Sequence, residues 1–209
     1  MTEEIKKRRV LNFETVGSIT AMVIGMCALF VAWDQAQIMR KQQHASVLPV
    51  VNIDGGFSTS ADAHVMTLSF SNDGIGPAIV ESASLTLDGR EISDWPDLRD
   101  GLLPPALHEG FESNLDTSIG VLAAGETSNS IVLTWSINDE RTAAFEELKS
   151  RVFSSVNQGT QFSVCYCSVF ERCWRTSADY AAKPNPVKQC EDAGEDVVVR
   201  LLQTISSNG

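Results

Sequence analysis

VMTLSFSNDGIGPAIVESASLTLDG, Val65 to Gly89, reads as strand, turn, strand, turn. Val65, Thr67 and Ser69 alternate with Met66, Leu68 and Phe70, the period of two that sends successive side chains to opposite faces of a sheet. Ser71 to Ala78 gathers Asn72, Asp73, Gly74, Gly76 and Pro77, turn chemistry dense enough to end a strand. Asn72 and the glycines are expected to supply positive φ at a tight sheet edge. Ile79 to Leu87 resumes the extended pattern. Asp88-Gly89 is a hairpin dipeptide, which returns the chain through Arg90 to Ser93.

The same grammar continues on both sides. Val47 to Ile53 is a β-branched run that Gly55-Gly56 is expected to break. On the C-terminal side, DWPDLRDGLL, Asp94 to Leu103, reads as a short helix with Asp94 as N-cap and Pro96 early, stopped by Pro104-Pro105. Ala106 to Gly120 has no period and is expected to loop over the surface. Leu122 to Glu126 is a turn, with Gly125 at positive φ, ahead of a strand from Ser130 to Ser136 that sends Ile131, Leu133 and Trp135 to one side. Asn138 to Ser155 is a soluble helix, capped by Asn138 or Asp139, with Ala144, Leu148 and Val152 on one stripe and Phe145 and Phe153 beside it. Gln161 to Phe170 and Cys173 to Thr176 are a strand pair turning at Glu171-Arg172. Val197 to Leu202 suits a last strand, or a short helix. Six to eight short strands separated by turns, with helical insertions, predict a mainly β fold, an Ig-like β-sandwich over residues 47–209. The Cys…Trp…Cys spacing of antibody domains is absent.

Ahead of this body lies VGSITAMVIGMCALFVAW, Val16 to Trp33, without a charged residue. As a helix it is about 27 Å long, close to the hydrocarbon thickness of a bilayer. Lys6, Lys7, Arg8 and Arg9 precede it, and only Arg40 and Lys41 follow closely. That asymmetry keeps residues 1–15 in the cytoplasm. A cleaved leader would need small residues at the exit, and Phe30-Val31-Ala32-Trp33-Asp34 offers no such site. The stretch therefore reads as an uncleaved signal anchor, extended by a helical stalk over residues 34–46 that ends before Pro49. Gly17, Ala21 and Gly25 recur every four residues on one helix face. Small residues so placed let two helices approach in lipid, so self-association or a partner helix is expected there.

The chain has 209 residues and a formal charge of −11. From Val47 onward there are 10 Lys and Arg against 23 Asp and Glu, a net of −13. A uniformly acidic body without a basic stripe argues against nucleic acid and against docking on anionic lipid. The acidic residues form no D-x-D-x-D-G calcium loop, and Glu191-Asp192 with Glu195-Asp196 reads as an exposed turn.

Ser69 to Gly89 together with VLAAGETSNSIVLTW, Val121 to Trp135, resembles the Ig-like, CARDB-like modules of bacterial and archaeal surface proteins, in which N-x-G near a strand end is followed by an L-x-x-G-E turn. It also resembles bacterial proteins with one N-terminal membrane helix and an N-x-G-x-G-P-A loop. The resemblance implies adhesion or assembly rather than a reaction.

Five cysteines are present. Cys27 lies in the anchor. Cys165, Cys167, Cys173 and Cys190 read as two disulfides in an extracytoplasmic domain. Cys165 and Cys167 share a strand face and each needs a partner elsewhere. Cys167 with Cys173 and Cys165 with Cys190 is one connectivity; the swap, Cys165 with Cys173, is the other. A tetrathiolate zinc site or a redox thiol pair is the alternative reading of these four residues, although zinc knuckles normally come as paired C-x2–4-C. No H-E-x-x-H, G-x-S-x-G, P-loop or dinucleotide fingerprint occurs. His44, His64 and His108 read as solvated. The chain is thus expected to be a non-enzymatic, cofactor-free binding or assembly module in a bacterial cytoplasmic membrane, with its domain outside. Trp95, Pro104 and Pro105 in the 94–120 segment are the expected contact loop, or else a cover for one sheet.

Overall fold

The computed structural model describes residues 13–117, 119–155, 161–178, 183–191 and 196–207. The chain divides into two compact units, Met1–Ala45 and Ser46–Gly209.

In the first unit a single helix, α1, runs over Phe13–Ala45, and none of its residues is buried. It is long and apolar enough to cross a membrane, with a mean hydropathy of 2.0 over its apolar window. Two hydroxyls in its apolar part bond back to the helix. Ser18 Oγ donates to the Glu14 carbonyl and Thr20 Oγ1 to the Val16 carbonyl, both at 2.9 Å. Such i−4 bonds remove the need for water along the segment. Residues 34–45 continue the same helix without interruption. The basic run Lys6 to Arg9 lies outside the described residues.

The second unit is mainly β, built on two antiparallel sheets. One has the order β1 (Val51–Thr59), β2 (Ala63–Asn72), β7 (Thr127–Ser136), β5 (Phe111–Leu115). The other has the order β10 (Asn185–Val187), β9 (Cys173–Ser177), β8 (Gln161–Cys167), β3 (Ala78–Leu87), β4 (Arg90–Glu91), with β6 (Gly120–Leu122) also pairing β3. The two sheets share one hydrophobic core. Phe70 of β2 stacks on Phe162 of β8 across it, with centroids 5.3 Å apart. Trp135 is fully buried, and its indole N–H donates to the Leu107 carbonyl at 3.0 Å. The turn between β3 and β4 has Asp88 at φ 51° and Gly89 at φ 77°, the double left-handed step of a tight hairpin.

Three helices close the core. α2 (Trp95–Leu102) is capped by Asp94, whose side chain accepts from the Asp97 amide. α3 (Asp139–Ser155) buries Ala144, Phe145 and Leu148, and Asn138 Oδ1 accepts from the Arg141 amide at its start.

The structure departs from the sequence expectations at several points. β1 runs straight through Gly55-Gly56, held by pairing of each with Leu68 and Thr67 of β2. Ladder bonds supply what the glycines lack in propensity. The segment after Pro105 is not a surface loop: a 3₁₀ turn at Pro105–Leu107 buries Leu107, and β5 then adds an edge strand. The β8–β9 turn is longer than Glu171-Arg172, since β8 already ends at Cys167 and Ser168 N donates to the Arg172 carbonyl. Of the two forms open to the tail, strand or short helix, it takes the helix, α4 (Val197–Ser207). Val197, Val198 and Leu201 follow a helical stripe, and Asp196 Oδ1 caps the end by accepting from Val198 N at 2.9 Å.

Candidate functional site

Three features of the second unit combine chemistry with position. The first is where the chain enters the body. Asn72 ends β2 and is fully buried. Its carboxamide oxygen accepts from Val50 N at 3.2 Å and from Gly74 N at 3.1 Å. Its nitrogen donates to the carbonyls of Gly76 at 2.8 Å and Leu122 at 3.0 Å. Backbone bonds from Asp73 N to Val50 O and from Ile75 N to Leu48 O complete the joint. Contrary to expectation, Asn72, Gly74 and Gly76 do not use positive φ. The glycines are there for proximity: a Cβ on Gly74 would strike the backbone of Leu48 to Val50, and one on Gly76 the backbone of Val47. Gly125 does sit at φ 77°.

The second is a sulfur cluster on the outer side of β8. Cys165 and Cys190 lie at disulfide distance, 2.01 Å between sulfurs, and Cys167 and Cys173 at 2.03 Å. This is the first of the two connectivities considered above. All four are buried and form their own cluster, with Val187 packed against it. Cys167 faces Cys173 directly in the β8–β9 register, and Cys165 faces Arg175. The sulfurs of Cys167 and Cys190, in different cystines, are 4.0 Å apart. Those of Cys167, Cys173 and Cys190 all lie within 4.8 Å of one another. As cystines they present no thiolate to zinc. Only the reduced form could ligate a soft cation.

The third is an apolar cavity of about 140 Å³ that opens between the two sheets, walled by Ile53, Phe57, Leu68, Leu85, Leu98 and Phe162. Gly55 and Gly56 form part of its rim and leave it uncovered by side chains. Among the described residues no charged side chain lines it.

The expected contact loop is placed otherwise. Trp95 and Pro104 are buried. Trp95 packs against Phe111 at 4.9 Å and its amide donates to Thr204 Oγ1 of α4. Trp95 packs inward, because an indole beside the ends of two helices has more to gain from burial than from water. Pro105 alone is exposed. Gly17, Ala21, Gly25 and Cys27 are exposed along α1.

Two residues that sequence reasoning placed in solvent are internal. His64 is 1% exposed. Its ring lies between Thr59 Oγ1 (3.0 Å from Nδ1) and Thr142 Oγ1 (3.1 Å from Nε2) and stacks on Phe145 at 4.6 Å. Alternation with Met66 and Leu68 was the available signal. Asp196 is also buried, and its second oxygen accepts from the Thr117 hydroxyl at 2.8 Å and the Ile119 amide at 3.3 Å. Tyr166, between the two β8 cysteines, stacks on Trp174 at 5.9 Å. Burial pushes its phenol above the ordinary range, partly countered by the Val51 backbone.

No family model matches the chain, and no curated protein or solved structure matches it either.

Proposed function

We propose that this chain is a membrane-tethered, extracytoplasmic binding or assembly module without enzymatic activity, held in a bacterial cytoplasmic membrane by α1 with its N-terminus inside. The observation that carries the reading is the pairing, in one chain, of a helix long and apolar enough to cross a bilayer with four cysteines at disulfide distance. Cystines persist on the oxidising side of a membrane, and a single anchor with a basic leading end delivers its C-terminal body there.

An Ig-like sandwich is the body this reading favours. The order β1-β2-β7-β5 beside β4-β3-β8-β9 follows the ABED and C′CFG order of that fold. The stacked Phe70 and Phe162 take the place of its inter-sheet disulfide. The CARDB-like resemblance belongs to the same reading.

The contact we assign to the module is the opening rimmed by Gly55 and Gly56, which takes one apolar side chain of a partner protein. An apolar cavity near 150 Å³ holds a benzene-sized group; this one has that size, and among the described residues its lining offers Thr67 but no charge that would orient a charged ligand. A photo-crosslinking residue at Gly56 is expected to yield an adduct in intact membranes that Leu68→Trp, which fills the opening, removes. The same residue at exposed Lys188 is expected to give none. An adduct indifferent to Leu68→Trp would refute the assigned contact.

A further inference from the structure

We propose that the two cystines form a thiol–disulfide exchange pair, in which Cys167, once released from Cys173, takes Cys190 from Cys165. The sulfurs of Cys167 and Cys190 are already in contact at 4.0 Å, inside a buried cluster that holds all four half-cystines and little else. Cys165 and Cys167 are two residues apart on β8 and present the same face. Either is therefore in position to hold Cys190.

The sequence of bonds is closed. A dithiol reductant converts Cys167–Cys173 to two thiols and is itself oxidised to a disulfide. This bridge spans 6 residues against 25 for Cys165–Cys190, and it joins positions already paired in the β8–β9 ladder. Its loss frees the unfolded chain less than loss of the longer bridge would, and so costs less stability. The Cys167 thiol gives its proton to solvent, and the thiolate attacks Cys190 Sγ. The Cys167–Cys190 bond forms as the Cys165–Cys190 bond breaks, with no net oxidation. Cys165 leaves as a thiolate and takes a proton from solvent.

The leaving side is favoured by placement. Arg175 sits directly opposite Cys165 across β8 and β9, and a neighbouring cation stabilises a thiolate. Cys190 passes from Cys165 to Cys167, its neighbour two residues along β8, with the sulfurs already in contact.

This inference rests on the cystines and not on the membrane reading, so its test is separate. In full-length protein in detergent micelles, Cys173→Ser leaves Cys167 free beside an intact Cys165–Cys190 bond. After acid quench, alkylation with N-ethylmaleimide and peptide mapping, label is expected on both Cys167 and Cys165, with Cys27 labelled throughout as reference. Arg175→Gln in that background is expected to lower the Cys165 share at least about threefold. Label confined to Cys167 would overturn the proposal. The wild-type chain treated with limiting dithiothreitol provides a second reading that no variant's folding can spoil. A Cys167–Cys190 cystine with label on Cys165 and Cys173 supports exchange, and label on Cys167 and Cys173 alone refutes it.

Discussion

The Asn72 carboxamide oxygen accepts the Val50 amide proton at 3.2 Å, so a side chain at the end of β2 fixes the segment through which the chain enters its folded body. The same carboxamide ties in its own loop and the β6 carbonyl of Leu122. Both of its donors and both acceptor sites of its oxygen are used. Asn72→Ala removes all four bonds and leaves two buried carbonyls and two amides short of a partner. The expected loss is about 3 kcal/mol, read as a lower urea midpoint at unchanged slope. Asn114→Ala, at an exposed position of β5, is expected to cost less than about 0.5 kcal/mol.

Glycine substitutions separate the two uses of that residue in this fold. Gly76→Ala drives a methyl into the Val47 backbone, whereas Gly55→Ala in β1 meets nothing within 4 Å. The first is expected to destabilise by about 2 kcal/mol or more, and the second to be neutral or slightly stabilising through loss of unfolded-state entropy. Thermal unfolding of the pair checks this, and equal shifts would contradict the close-approach role.

Local chemistry made part of this architecture legible. Asp88-Gly89, Gly125, the Asp94 cap and the alternation of Ile131, Leu133 and Trp135 each follow from a rule that operates within a few residues. What escaped depends on partners distant in sequence. Gly55-Gly56 looks like a break until β2 is paired to it. VVV at 197–199 has strand propensity, and it becomes helix because Asp196 caps it and its stripe meets the core. His64 and Asp196 look solvated because their partners, Thr142 and Thr117, lie 78 and 79 residues away. Trp95 in a Pro-rich stretch looked like a contact residue, and only the position of α4 and β5 shows that it is roofed over.

The His64 ring has a defined tautomer in its neutral form. Thr142 spends its hydroxyl proton on the Asn138 carbonyl at 2.8 Å, so it must accept from Nε2–H, and Nδ1 accepts from the Thr59 hydroxyl. Long-range ¹⁵N–¹H correlation spectra are expected to show Nε2 protonated and Nδ1 bare. The opposite tautomer would contradict the hydroxyl assignment.

Tyr166 sets an alkaline limit. Burial favours the neutral phenol, so the folded-state pKa lies above the unfolded value of about 10. The stabilisation is fully present below pH of about 10 and is lost as pH rises through the folded-state pKa. With Tyr180→Phe to leave one phenol, ultraviolet titration is expected to show late ionisation coincident with unfolding. Tyr166→Phe should flatten the fall in stability at high pH. Ordinary titration without unfolding would contradict the buried placement.

The central claim is that α1 holds a cystine-bearing body on the oxidising side of a membrane. Thiol counting by a mass-tagged maleimide tests it most directly, on full-length protein denatured from isolated membranes without reductant. The chain has five cysteines, and one tag, on Cys27, is the expected result. Five tags, with a C-terminal reporter active only in the cytosol, would contradict both the location and the bridges.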